Sequence, residues 1–259
     1  MIKMLCTIFC LFSFVALSAT TTTNKKGPTG LEVAMKMEKA AQGFKGEQST
    51  MKMILISASK EEVLRQMQGK VLEDLKDGDK SLITFEMPKD VKGTKMLTWS
   101  YKDKGDDQWL YLPSFRRVKR ISSNAKSSSF MGSEFSYEDL GSQETQKYNF
   151  KLVSQTDKEY VLERVSKKKS GYSKQVLVVS KEHLLATKID YFDRKNELLK
   201  TATFDKFEPY TVDGKKMWRA NEIHMKNVQT KKESIISWND RKMGLELKER
   251  DFEKKNLKK

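Results

Sequence analysis

The residue types that most often carry catalysis or bind metals are sparse in this chain. It has two histidines, His183 and His224, and neither has a second ligand at metal-binding spacing. Ser133 follows Gly132, but the G-x-S-x-G motif that exposes a hydrolase nucleophile is absent. These residues supply no set of nucleophile, base and orienting group. The sequence therefore predicts a protein that is not an enzyme and that needs neither a cofactor nor a metal.

Aromatic side chains form a more informative group. Trp109 and Tyr111 share one face of a predicted strand, and Phe135 and Tyr137 share a face in a later one, FMGSEFSYEDL at residues 130–140. A sheet that curls around such residues either fills its interior with them or leaves a slot for a ligand. Sequence alone leaves both possibilities open. The candidates for a cavity lining are Met35, Trp99, Trp109, Tyr111, Phe130, Phe135 and Tyr137.

Basic residues follow the first of these strands. Pro113 and Ser114 interrupt it, so residues 109–113 and 115–121 are predicted to pair as an antiparallel hairpin. The second strand of the hairpin carries an arginine cluster with two possible roles. It could form cross-strand ion pairs with carboxylates of residues 130–140, or it could meet a lipid headgroup or a membrane partner. The cations are Arg116, Arg117 and Arg120, and the carboxylates are Glu134, Glu138 and Asp139.

Glu138 and Asp139 are also the one adjacent pair of carboxylates in this region that could suggest acid–base chemistry. On the predicted strand, neighbouring side chains point to opposite faces of the sheet. The two carboxylates therefore cannot face each other across a substrate, as a glycosidase pair must.

One amphipathic helix precedes the strands. The segment LEVAMKMEKAAQ places Leu31, Ala34 and Met35 on a mostly apolar stripe that continues through residues 38 and 41. Thr29 can cap its start, and Gly43 can end it. We expect this helix to bury the stripe against the open side of a sheet.

From Glu47 onward, apolar residues alternate with polar ones, which is typical of half-buried strands. Turn signals such as Asp77-Gly78 and Asp213-Gly214 separate the strands. The pattern predicts a mainly β fold, a curved antiparallel sheet of roughly ten or more strands covered by the N-terminal helix. A charged tail at residues 247–257 is predicted to form a short C-terminal helix.

The first nineteen residues have the character of an export signal. Lys3 precedes an uncharged apolar run that ends at Leu17-Ser18-Ala19, a small-residue cleavage site. The predicted organisation is a signal peptide at 1–19, a flexible leader at 20–28 and one domain at 29–259. An uncleaved membrane anchor is the alternative. Both cysteines, Cys6 and Cys10, lie in the signal, so the exported domain would have no disulfide.

The chain carries a net charge of +15. Basic chains often bind nucleic acid, but here the lysines are scattered and the export signal directs the chain away from nucleic acid. We therefore expect no nucleic acid partner. Most of the lysines are interpreted as a solvated surface of a monomer.

The order W-x-Y-L-P, then R-R-V-x-R-I, then F-M-G-S-x-F-S-Y-E-D-L at residues 109–140 resembles the signature of periplasmic outer-membrane lipoprotein-sorting proteins, relatives of LolA and LolB. Residues 88–99, PKDVKGTKMLTW, are similar to the segment that usually precedes it. The resemblance implies a half-open barrel whose apolar cavity accepts acyl chains.

Two functions follow from the resemblance. The protein could carry lipid or lipoprotein acyl chains in lipoprotein sorting or lipid export, loaded by an inner-membrane exporter. Alternatively, it could be an accessory or scaffold subunit of an exporter, with a filled barrel and no cargo.

Overall fold

The computed structural model describes residues 27–258, so the predicted signal at 1–19 and the leader up to residue 26 lie outside the described residues. Helix α1 spans Gly30–Ala41. The strands are β1 Gly46–Ile56, β2 Glu62–Leu72, β3 Lys80–Met87, β4 Lys95–Trp99, β5 Asp107–Leu112, β6 Arg117–Arg120, β7 Tyr148–Gln155, β8 Glu159–Ser166, β9 Lys174–Ser180, β10 Ala186–Phe192, β11 Leu198–Val212, β12 Lys215–Asn227 and β13 Glu233–Met243.

Within residues 27–258, the thirteen strands form one antiparallel sheet in the order β6-β5-β4-β3-β2-β1-β13-β12-β11-β10-β9-β8-β7. Two meanders, β1 to β6 and β7 to β13, join where β1 pairs with β13. The edge strands β6 and β7 are consecutive in the chain, yet they lie at opposite ends of the sheet. Residues 121–147, which we name the crossing segment, must therefore pass from one edge to the other.

The sheet curves so strongly that strands from both halves share one core. Met96 of β4, Met53 of β1, Ala202 of β11 and Leu177 of β9 belong to the same buried cluster. Each comes from one face of its strand, as the alternating sequence requires. Since β6 and β7 do not pair in the described chain, the result is an open half-barrel and not a closed one. The predicted mainly β fold is confirmed.

A smaller core covers part of the outer face. The C-terminal tail forms two 3-10 helices, Glu249–Phe252 and Lys254–Lys258, where a short helix was expected. Phe252 and Leu257 are buried against Leu97 and Trp109 of β4 and β5. The tail thus shields the aromatic outer face of this half of the sheet.

Helix α1 closes the open side of the half-barrel by packing on β7, β8 and β12. Its predicted start is confirmed, because the Thr29 hydroxyl accepts from the Glu32 backbone N–H while the Glu32 carboxylate accepts from the Thr29 N–H at 2.6 Å. At its other end, Lys215 and Arg219 of β12 donate to helix carbonyl groups. In the described residues, no helix is long and apolar enough to cross a membrane.

Candidate functional site

An apolar chamber of about 500 Å³ lies between the inner face of the sheet and helix α1. Strands β9 to β13 supply most of its wall, and Met37 of α1 contributes to its roof. A volume of this size is within the range of ligand-binding sites. The apolar wall residues include Leu177, Ile189, Ala202, Ile223, Met225 and Trp238.

A second chamber of about 360 Å³ continues the first beneath the C-terminal half of α1. Ala34, Met37 and Ala41 of the helix line it, and it shares Met37, Leu177 and Arg219 with the main chamber. The helix therefore meets the cavity through small or flexible side chains, which leave space or repack readily.

The face that α1 buries differs from the predicted one. Leu31 and Met35 are 48% and 57% exposed, whereas Val33 is fully buried and Ala34 is 5% exposed. The prediction that Leu31 and Met35 face the interior is therefore wrong. The helix is rotated because its first turn lies against β7, where a Cβ on Gly30 would be only 2.6 Å from the Leu152 backbone nitrogen.

The seven candidate cavity residues separate into five environments. Phe135 lines the main chamber. Phe130 is fully buried beside it and packs on Phe85 and Tyr137, with ring centroids 5.8 and 5.6 Å apart. Tyr137 lines a small pocket on the far side of the crossing segment.

The remaining candidates lie away from the chamber. Trp99, Trp109 and Tyr111 belong to the outer-face core, where the Trp99 indole N–H donates to the Phe252 carbonyl oxygen at 2.7 Å. The alternation of β5 is as predicted, but its aromatic face points outward and its leucines point inward. Met35, as described above, is mostly exposed.

The predicted strand at residues 130–140 is absent from the described structure, which has turns there and one isolated bridge between Ser129 and Ser136. Met131 and Gly132 both adopt positive φ, at 50° and 78°, and end the extended conformation. This correction also removes the argument that Glu138 and Asp139 point to opposite faces of a strand.

The crossing segment instead spans the interior of the half-barrel. Arg65 of β2 donates to the Met131 carbonyl oxygen. The Glu134 backbone N–H donates to the Ser234 hydroxyl at 3.0 Å, and the Asn227 amide donates to the Glu134 carboxylate at 2.8 Å. These contacts fix the segment to β2, β12 and β13, so it forms one end wall of the chamber.

A buried ion pair anchors the same segment. The Lys200 ammonium lies 2.6 Å from the Asp139 carboxylate, and the two side chains are only 5% and 4% exposed. Asp139 also accepts from the Tyr172 hydroxyl at 2.8 Å and from the Ser136 backbone N–H at 2.7 Å. This carboxylate is therefore fully engaged in holding the fold.

The hairpin of β5 and β6 forms as predicted, through a 3-10 turn at Pro113–Phe115. The predicted ion pairs between its arginines and the carboxylates of residues 130–140 are wrong. Arg120 pairs with Asp107 on the neighbouring strand, while Arg116 and Arg117 are exposed. The carboxylates lie in the crossing segment, which turns inward and binds Lys200, Asn227 and the 170–171 turn.

Three guanidinium groups line the chambers, and sequence reasoning did not select any of them. Arg164 donates to the side-chain amide oxygens of Gln175 at 2.5 Å and Gln143 at 2.6 Å. Arg219 and Arg241 lie beside Glu47. For Arg164 and Arg219 the signal was their place on the inward-facing side of the alternation of β8 and β12. Arg241 follows a register shift in β13, which alternation does not predict.

Carboxylates gather where α1 meets the second chamber. Glu38, Asp79 and Glu144 all line it. Burial, together with the charges of Glu38 and Asp79, raises the pKa of Glu144 to about 7. Burial likewise raises the pKa of Asp79 to about 6. Both groups thus take up protons at higher pH than ordinary carboxyl groups.

Both histidines contact neighbouring side chains of the fold. His224 lies 2.7 Å from the Glu233 carboxylate on the neighbouring strand. His183 stacks on Trp218 at a centroid distance of 4.2 Å. In the part of the chain that the structure describes, no group of three or more His, Cys, Asp or Glu residues could hold a metal ion.

A family model described as an uncharacterized protein family matches residues 77–259. A solved domain from Vibrio parahaemolyticus, named for outer membrane lipoprotein sorting, is 43% identical, with a TM-score of 0.85 over 89% of this chain and 98% of that one. A DUF1329 family protein from Desulfovibrio piger is 31% identical, with a TM-score of 0.81 over 88% of this chain and 97% of that one. No curated protein matches the chain.

A LolA superfamily protein from Nitrosomonas europaea has the same fold at 22% identity, with a TM-score of 0.69 over 88% of this chain and 99% of that one. These findings confirm the resemblance stated from residues 109–140. The chain belongs to the family of the outer membrane lipoprotein-sorting domain and the DUF1329 protein, and its fold is that of the LolA superfamily.

Proposed function

We propose that this protein is a periplasmic carrier that binds the acyl chains of a lipid or lipoprotein in the chamber beneath α1. The observation that carries the proposal is the chamber of about 500 Å³ with apolar walls from five consecutive strands of the sheet. Transfer of an acyl chain into such a site gives about 0.8 kcal/mol for each buried CH₂. The name of the Vibrio parahaemolyticus relative supports a role in lipoprotein sorting.

The construction of α1 suits a lid. Its N-terminal turn is held tightly against β7 at Gly30, whereas its middle and end meet the cavity through Met37 and Ala41. Shifts of the C-terminal half, which would release the bonds that Lys215 and Arg219 donate to its carbonyl groups, would widen the opening while the N-terminal turn stays in place. In this proposal, cargo enters and leaves beneath Met37. The protein binds and releases the cargo without a catalytic step.

A carrier must also meet the membranes or exporters that load and unload it. The hairpin tip is suited to this contact because Phe115 is 70% exposed beside the exposed Arg116 and Arg117. An exposed aromatic ring flanked by cations favours anionic lipid surfaces. An inner-membrane exporter is the second kind of partner that this tip could serve.

The alternative is an accessory subunit of an exporter that carries no cargo. One observation favours this alternative. Phe130 and Phe135 of the crossing segment fill part of the interior. That packing reduces the space that a closed carrier would keep for acyl chains.

The decisive experiment is organic extraction and mass spectrometry of the protein purified from cell envelopes without detergent exchange. A carrier is expected to yield a lipid or acylated peptide at close to one per protein. Extraction of the Ala186→Trp variant, which narrows the chamber, serves as the matched control. A protein that never yields lipid, even after incubation with envelope lipids, would favour the accessory subunit.

A further inference from the structure

The bulge in β13 turns an arginine into the apolar chamber. Three residue steps of β13, from Asn239 to Lys242, oppose two steps of β1, from Thr50 to Gln48, and Asp240 has a φ of +48°. An inserted residue shifts the alternation of a strand by one. Asp240 therefore points to solvent, and Arg241 takes the inward position that follows Ile236 and Trp238.

The Arg241 side chain is 4% exposed, yet its hydrogen-bonding capacity is not used. Within the described residues, its Nε and Nη1 atoms make no hydrogen bond. The Glu47 carboxylate lies 3.2 Å from Nε, but the N–H does not point at it with hydrogen-bond geometry. A guanidinium is rarely buried in this way without an acceptor, because losing its hydration is costly.

The carboxylates of the main chamber have other partners besides Arg241. Glu47 is shared, because its second oxygen lies 3.6 Å from Nε of Arg219. Asp139 is already paired with Lys200. Arg164 and Arg219 also line the second chamber with its carboxylates, whereas Arg241 lines the main chamber and has the shared Glu47 as its ion-pair partner.

We propose, building on the carrier function above, that the chamber binds an acylated molecule with an anionic oxygen group, and that Arg241 donates hydrogen bonds to that group. The acyl chain lies along the apolar wall formed by Ile189, Ala202 and Met225. The ring of Trp238, 5.4 Å from the guanidinium carbon, holds the arginine in its inward position. The oxyanion is either a carboxylate, as in a fatty acid, or a phosphate, as in a lipid headgroup.

The test compares three amphiphiles with the same hydrocarbon chain. Palmitate and hexadecyl phosphate carry an oxyanion, and hexadecanol does not. Binding to the delipidated protein is measured by displacement of a fluorescent fatty-acid analogue. We expect both anions to bind about tenfold or more tightly than hexadecanol, the effect of a charge-assisted hydrogen bond in a buried site. The tighter of the two anions identifies the source of the oxyanion.

Arg241→Gln is expected to abolish the preference for the anions while leaving hexadecanol binding unchanged. Lys242→Gln removes the same charge from the adjacent, exposed residue and is expected to change nothing. Arg241→Lys is expected to restore part of the preference, since it keeps the charge and loses the planar fork. Circular dichroism of each variant checks that the sheet is intact.

The outcomes separate this inference from the proposed function. Equal binding of all three amphiphiles to the wild-type protein would overturn the anion site and leave the carrier standing. A preference that survives Arg241→Gln would also refute the role of Arg241. If none of the amphiphiles binds, both proposals fail. If the Arg241 variants do not fold, the wild-type comparison still decides whether the chamber contains an anion site.

Discussion

At the scale of single residues, Asp139 and Lys200 determine where the crossing segment lies. The pair is buried, and each side chain has further partners, since Lys200 also donates to the Glu134 carbonyl oxygen at 2.8 Å. Buried ion pairs often contribute little net stability, but removing one partner leaves an uncompensated charge in a medium of low dielectric constant. These two residues are therefore sensitive positions even though neither is proposed to touch cargo.

We predict that Asp139→Asn lowers the free energy of unfolding by about 3–5 kcal/mol, because Lys200 would then be buried without a counter-charge. Urea denaturation of the purified variant measures this. The control is Asp213→Asn, which breaks the exposed Lys45–Asp213 pair and is expected to leave the midpoint unchanged. Equal effects from the two substitutions would show that the Lys200–Asp139 pair is not an anchor.

Predictions for single residues were correct where the neighbouring residues in the sequence determine the local structure. Thr29 caps the helix as expected, and Met51 and Met53 are buried on one face of β1 as the alternation requires. They were not correct for Asp139 or for the arginines near Phe115. The partner of Asp139 lies on β11, which is distant in sequence, and no local pattern encodes that pairing. Arg120 instead pairs with Asp107 within its own hairpin, because the carboxylates of residues 130–140 turn into the interior.

At the scale of elements, α1 and the acidic group beneath it form one unit. Glu38 belongs to the helix, Asp79 precedes β3 and Glu144 lies in the crossing segment. The Glu38 carboxylate also accepts from the Thr145 backbone N–H at 3.3 Å. Burial and the charges of Glu38 and Asp79 raise the pKa of Glu144, while Lys147 and Lys102 partly offset this effect.

The sign of the pH dependence follows from the raised pKa of Glu144. Its pKa is 4.5 in the unfolded reference and about 7 in the folded protein, so the folded state binds more protons between these values. The contribution of Glu144 to the free energy of unfolding is therefore fully present below pH 4.5 and is lost as the pH rises to about 7. Asp79 adds a loss of the same sign as the pH rises from 3.8 to about 6.

We predict that Glu144→Gln makes the thermal midpoint fall less steeply with rising pH in this window, because the amide cannot ionise. Differential scanning calorimetry across the window measures the slope. Glu246→Gln, an exposed carboxyl outside the group, is the control and should keep the wild-type slope. A Glu144→Gln profile identical to that of the wild type would show that Glu144 is already ionised at low pH.

The hairpin tip permits a prediction about membranes. Phe115→Ser should change stability by less than about 0.5 kcal/mol, because the ring is 70% exposed. The same change should weaken binding to phosphatidylglycerol vesicles several-fold in a flotation assay. Val153→Ser is the matched control, an exposed apolar residue on β7 at the opposite edge of the sheet. Unchanged vesicle binding in Phe115→Ser would exclude the tip as the contact.

The elements themselves were largely predictable, but their orientations were not. The spacing of the apolar residues indicated α1 and the strands, and Pro113 and Ser114 indicated the hairpin. The predicted buried face of α1 is displaced by one residue from the observed one, because Leu31 and Met35 are as apolar as Val33 and Ala34. The close contact of Gly30 with β7, which selects the buried face, depends on tertiary packing.

At the scale of the whole molecule, one non-local pairing produces the chamber. Because β1 pairs with β13, the two meanders form a single sheet, and β6 and β7 become its distant edges. The crossing segment then has to traverse the interior, where it forms a wall and not an additional strand. Alternation in residues 130–140 is equally compatible with both arrangements, which explains why the sequence did not distinguish them.

The last prediction tests whether the interior is a binding chamber or a packed core. Ala186 of β10 is half-buried and lines the chamber of about 500 Å³. Ala186→Trp should therefore extend into the existing space, with little loss of stability, and should weaken binding of the fluorescent fatty-acid analogue. In a packed core, the same substitution would cost about 1–3 kcal/mol or more through overpacking.

Thr203→Trp provides the comparison, because Thr203 of the neighbouring strand β11 points to the outer face. It adds an indole to the sheet but takes no space from the chamber, so it should leave binding intact. Thermal midpoint and binding are measured together for the three proteins. If Ala186→Trp unfolds at a much lower temperature while Thr203→Trp does not, the interior has no room for an acyl chain. That result would refute the carrier, because a protein without interior space cannot shield a hydrocarbon chain from water.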